Sequence, residues 1–166
     1  MPASEVLNEY GKWFLNYAKE LNNQPGAKFD LLVPSQDLYK LDHPALLRHQ
    51  SSHLWRFRPS ALVIEIDNST NSSYFHVIVG VSNAIALKDV GELNCYVRIM
   101  GAKTGCLVSP KGISNEVRLV QAESSVRDRL FGAEKEASLF LIEWDVNRKT
   151  VKPETVIPIE RKSQFF

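Results

Sequence analysis

Apolar residues in the opening segment recur at every third or fourth position: Val6, Leu7, Tyr10, Trp13, Phe14, Tyr17, Ala18 and Leu21. That spacing lays one broad aromatic stripe along a helix. Ser4 stands where an N-cap is needed and the run Asn22-Asn23-Gln24-Pro25-Gly26 terminates the pattern, so an amphipathic helix is predicted over residues 4–22. Residues 29–33 form a short candidate strand. Residues 62–67 are a continuous apolar run rich in Val and Ile, which suits the interior of a sheet.

Residues 74–87 satisfy two patterns at once. Tyr74, Val77, Ile78, Val81, Ala84 and Ile85 keep helical spacing, whereas the β-branched content of residues 77–81 favours extended chain. The helical spacing leads to a predicted helix here. Strands are predicted over 94–100 and 105–108, joined by a hairpin turn around Gly101 and Lys103, and Ser114 caps a helix running from 115 towards 131. A further strand is predicted over 139–144, with an edge strand at 155–159 where Pro158 is tolerated. Helices alternating with strands predict an α/β or α+β fold, a mixed central sheet flanked by helices.

Length and charge narrow the reading. The 166 residues fit one domain, with the helix of residues 4–22, a core over 28–145 and a tail over 146–166. Twenty basic and nineteen acidic residues leave a formal charge of +1, so a nucleic-acid partner needs a local basic patch rather than a bulk field. Cys95 and Cys106, the only cysteines, lack metal-site spacing and point to buried thiols in a reducing compartment. With no signal-peptide pattern and no apolar run of membrane-spanning length, a cytoplasmic protein with no membrane association is expected.

The chemistry concentrates in the run Arg58-Pro-Ser-Ala-Leu-Val-Ile-Glu-Ile-Asp-Asn-Ser-Thr70. Residues two apart on a strand share a face, so Glu65 and Asp67 would project together, near enough to share a cation. Glu65 lies inside an apolar run, where a carboxylate is costly to bury unless paired. Asp67 precedes Asn68-Ser69-Thr70, which also allows a purely local capping role.

This stretch resembles the PD-(D/E)XK, or restriction-endonuclease-like, superfamily. Glu65-Ile66-Asp67 stands in the Glu-x-Lys position, Arg58-Pro59-Ser60 lies where some relatives show Arg-Pro-Asp, and the match spans roughly residues 55–131 with the first helix as an addition. The resemblance implies Mg²⁺ or Mn²⁺ held by Glu65, Asp67 and one upstream acid, with Asp42 chosen over Asp30 and Asp37 because it is nearest in sequence. The family lysine is replaced by Asp67, so Lys88, Lys103 or Lys111 must substitute or a second metal takes its role, and without the upstream acid the site is dead; Lys111 is taken with Glu65, Asp67 and Asp42 as the catalytic set. Such a metal would orient a water and offset charge developing on a phosphodiester.

Arg56 and Arg58, together with Lys111, are the expected phosphate contacts, since cations interleaved with Trp55 and Phe57 suit a surface that tracks phosphates and stacks bases. The same alternation also fits an ordinary half-buried strand. His43, His49 and His53 cluster in sequence but match no metal signature, and His76 in its apolar segment reads as a hydrogen-bonded core residue. Two functions follow. The first is metal-dependent hydrolysis of nucleic acid by a nuclease-like enzyme, active or degenerate, working as a homodimer or with a larger protein partner. The second is a non-catalytic α/β binding or interaction module in a nucleic-acid-associated complex.

Overall fold

The computed structural model describes residues 8–16, 27–131 and 138–157. Helix α1 covers residues 8–16; the remainder of the helix predicted over 4–22, and Pro158 with the end of the tail, lie outside the described residues. Strands β1 (Ala27–Leu32), β2 (Ala61–Asp67), β3 (Ser72–Gly80), β4 (Thr104–Ser109), β5 (Ser138–Asp145) and β6 (Thr150–Val151) form one mixed sheet in the order β1-β2-β3-β4-β5-β6. The pairs β1–β2 and β2–β3 are antiparallel, β3, β4 and β5 are mutually parallel, and β6 returns antiparallel to β5. Parallel neighbours need crossover helices. Helix α3 (Leu87–Met100) supplies the first, and α4 (Asn115–Ala122) with α5 (Ser124–Phe131) the second. A short helix, α2 (Pro44–Leu47), lies in the long β1–β2 connection between two 3₁₀ turns at Leu38–Lys40 and Ser52–Leu54.

The architecture is the mixed α/β sheet flanked by helices that the sequence predicts, but two central elements exchange identity. Residues 72–80 are a strand, not a helix, and residues 87–100 are a helix where a strand over 94–100 is expected. The reason is visible in the burial. Both faces of β3 are covered, so its apolar run needed no amphipathic period, whereas Val90, Leu93, Val97 and Met100 are buried at helical steps. Gly101, at φ +61, ends α3 in the left-handed conformation, so the Gly101–Gly105 segment is a helix-to-strand connection and not a hairpin turn. The helix expected from 115 to 131 is broken at Glu123, which takes an extended conformation. Of the edge strand expected over 155–159, the described residues carry a 3₁₀ turn at Pro153–Thr155 and one antiparallel bridge from Ile157 to Leu141, and residues 158 and 159 lie outside the described residues.

Each sheet face carries its own core. Tyr10 and Phe14 of α1 pack with Ala61, Val63, Ile78, Cys106, Phe140, Ile142 and Trp144 on one face. Leu62, Ile64, Val77, Leu107 and Leu139 pack on the other with Trp55, Leu38, Leu46 and α3. Gly105 lets α3 approach β4: a Cβ there would lie 2.5 Å from Val97 Cγ2. Cys106 is buried beneath Tyr10, whose hydroxyl lies 2.8 Å from Sγ, and burial pushes the thiol up to about 12 against the lowering effect of that hydrogen bond. Cys95, contrary to expectation, is exposed on α3. No helix among the described residues is long and apolar enough to cross a membrane.

Candidate functional site

Glu65 lies on β2 opposite Tyr74 of β3, and its side chain points to the α1 face of the sheet. There it is 7 % exposed. Its Oε2 accepts hydrogen bonds from His76 Nε2 and from Lys103 Nζ, both at 3.2 Å. His76 is fixed from its other side by Thr104 Oγ1, 2.8 Å from Nδ1, so the neutral ring that satisfies both contacts keeps its proton on Nε2. Phe14 of α1 covers the imidazole at 5.8 Å, and the half-exposed Lys103 ammonium lies 5.2 Å from the centre of the Tyr74 ring. The His76 hydrogen bond, and secondarily Lys103, hold the Glu65 carboxyl below the usual carboxylate range although burial opposes them.

Asp67, two residues on, does different work at the β2–β3 turn. Its Oδ1 accepts from the Ser69 hydroxyl at 2.6 Å and the Ser69 backbone N–H at 2.8 Å, and its Oδ2 from the Thr70 hydroxyl at 2.9 Å. These bonds, the Ser69 hydroxyl first, lower its pKa to about 2. The capping role foreseen for this acid is real, but it organises a hairpin turn closed by Asn71 at φ 55, not a helix.

The remaining predicted residues are not gathered around this pair. Asp30 pairs with Ile64 and so projects to the opposite face, where its Oδ2 lies 3.5 Å from His43 Nε2 and holds the residue next to Asp42 on that side. Lys111 follows the far end of β4 from Lys103, on the order of 17 Å along the strand at the usual rise. Arg56 and Arg58 belong to a segment anchored by Trp55 in the core of the opposite face. Of the three lysines considered as substitutes, Lys103 is the one that reaches Glu65.

The two halves of the proposed motif also separate. Ser60 and Asp67 bracket β2, on the order of 20 Å apart. At the Ser60 end the hydroxyl accepts the Gly80 N–H at 2.8 Å. The strand that leads into a helix is β3, and its sequence SSYFHVIVG contains no carboxylate.

A divalent cation was the expected cofactor, and the donor set does not fit one. Glu65 Oε2 already faces a cationic ammonium and an imidazole N–H, both oxygens of Asp67 are engaged by the turn, and Asp42 adjoins His43, which reaches Asp30 on the opposite face. A hard cation needs several free oxygens converging on one point. Among the described residues, no group of three His, Cys, Asp or Glu side chains is placed to hold a metal ion.

His43 and His49 of the β1–β2 connection have structural partners, and His53 is exposed. His43 Nδ1 accepts the Ala45 N–H at the start of α2, and the His49 ring packs on Trp55 at 4.7 Å and Phe75 at 5.8 Å. One surface cluster escaped the sequence reading. The ring of Tyr39 has Lys40 Nζ 5.3 Å and Arg56 Cζ 5.5 Å from its centre. No spacing rule links positions 39 and 56; the backbone bond from Tyr39 N to Trp55 O brings them together. Neither a scan against protein-family models nor a search of curated proteins finds a match to this chain.

Proposed function

We propose that this protein is a non-catalytic binding module of a nucleic-acid-associated complex, built on a fold similar to the restriction-endonuclease-like one with the metal chemistry lost. The observation that carries this reading is the state of Glu65: its charge is satisfied inside the fold by His76 and Lys103, so it braces β2, β3 and the start of β4 instead of presenting oxygen to a metal. Arg56 and Arg58, exposed while the neighbouring Trp55 is buried, supply cations for phosphate contact.

The test is to incubate plasmid and single-stranded DNA with the protein and Mg²⁺ or Mn²⁺, in parallel with Glu65→Gln. Intact DNA in every lane is expected, with binding detected by anisotropy and weakened in Arg56→Ala/Arg58→Ala. Cleavage by the wild type that disappears in Glu65→Gln would overturn the reading in favour of a nuclease. One observation favours that second reading, the approach of Lys103 Nζ to Glu65, since a lysine beside an acid is what the family chemistry uses.

A further inference from the structure

We infer that the Tyr39 surface holds single-stranded nucleic acid, with a base against the ring and phosphates on Lys40, Arg56 and Arg58; this rests on the reading of the protein as a nucleic-acid-associated module. Buried Leu38 roots the turn carrying Tyr39, and backbone bonds from Leu38 N to Phe57 O at 3.0 Å and from Tyr39 N to Trp55 O at 3.2 Å fix it beside the 55–58 segment. In that segment alternate side chains divide: Trp55 is buried, Phe57 stacks on Tyr96 at 4.3 Å, and Arg56 and Arg58 face outwards. Arg58 is aimed by its bond to Ser35 O at 3.0 Å. The cations are therefore presented from a rigid base.

Among the described residues neither Asp37 nor Asp42, nor any other carboxylate, forms an ion pair with Lys40, Arg56 or Arg58. Tyr39 is nonetheless 37 % exposed, a large ring left at the surface beside the Lys40 ammonium and the Arg56 guanidinium. A polyanion with exposed aromatic faces complements that combination: phosphates meet the cations and a base stacks on the ring or on the guanidinium above it. A duplex hides its base faces in its own stack, so the ring adds affinity only for single strands.

Fluorescence anisotropy with an oligo-dT of about 15 nucleotides, within the span of single-strand sites, and a duplex of equal length tests this. Single strand is expected to bind more tightly than duplex. Tyr39→Ala should weaken the single strand by about tenfold, the lower part of the range for loss of one stacked base, with Tyr39→Phe close to wild type and duplex affinity unchanged in both. Arg58→Gln should flatten the slope of log K against log salt by about 0.7, one phosphate contact. Duplex bound as tightly as single strand, or Tyr39→Ala indistinguishable from wild type on oligo-dT, overturns the inference while leaving a nucleic-acid module standing. Absence of binding to either probe overturns both. Circular dichroism of each variant separates lost contact from lost fold.

Discussion

At the Lys103 end of the sheet, a carboxylate, an imidazole and an ammonium group satisfy one another against the side of α1. On the other side of the sheet, at Tyr39, a guanidinium and an ammonium lie near an aromatic ring with no carboxylate paired to them among the described residues. Both regions are polar and both are held by β-structure or its extensions. They differ in where the charge is balanced. The first is balanced within the protein, so altering it should change folding; the second, on the proposed reading, is left for a partner, so altering it should change binding and leave folding alone.

The sharpest way to break this comparison is His76→Ala. It removes the Nε2 donor from a buried carboxylate and opens a gap beneath Phe14, so we expect a loss of about 2–4 kcal/mol from the unsatisfied acid and the cavity together. Tyr39→Ala, on the exposed side, should stay within about 0.5 kcal/mol of wild type. Urea denaturation of the two variants checks both. A larger loss from Tyr39→Ala than from His76→Ala would mean that the roles of the two regions are reversed.

Lys103→Met sharpens the same contrast at smaller amplitude. Removing one partner of a buried pair is severe when both are dry, but the Lys103 side chain is half exposed and its attraction is screened, so about 1 kcal/mol is expected. The pH dependence has a definite sign. The Glu65 carboxyl is lowered from 4.5 in the folded protein, so the stability it contributes is complete above that value and is lost as pH falls through the lowered folded pKa. In Lys103→Met the folded pKa rises, and the loss should begin at higher pH than in wild type. Urea melts repeated from neutral to acid pH measure it.

Much of the frame was legible because its signals are local. The stripe through Tyr10 and Phe14 predicts α1, the Val-Ile run of 62–67 predicts β2, and Ser114 caps α4 as expected, its hydroxyl accepting the Val117 N–H. The exchange between 74–87 and 94–100 arose because a strand buried on both faces carries no two-residue period, so incidental helical spacing in Tyr74, Val77, Ile78 and Val81 outweighed β-branching. That exchange concealed the site. With residues 72–80 as a strand, His76 becomes a diagonal neighbour of Glu65 across the β2–β3 ladder, and Thr104 becomes the direct partner of His76 across β3–β4. That Glu65 and Asp67 leave β2 on the same face needed only strand alternation. What each acid bonds to needed the strand order, as did the separation of Asp42 and Lys111 from them.

The smallest expected effect isolates Asp67 from Glu65. Ser69→Ala deletes the 2.6 Å hydroxyl bond that contributes most to the depression of the Asp67 pKa, so its titration midpoint should move from about 2 back towards 3.8, followed by carboxyl carbon chemical shifts. The stability linked to this acid is complete above 3.8 and disappears as pH falls to about 2 in wild type; in the variant less is present to lose, so the acid limb of the stability curve should flatten there. The turn is solvent-exposed and its remaining bonds, from the Ser69 N–H and the Thr70 hydroxyl, persist, which keeps the change local. Neither the Glu65 titration nor oligo-dT binding should respond. A Glu65 midpoint that moved together with that of Asp67 would mean that the two carboxylates share one electrostatic site after all, and the division between a folded-in acid cluster and an outward-facing cationic surface would have to be redrawn around the pair.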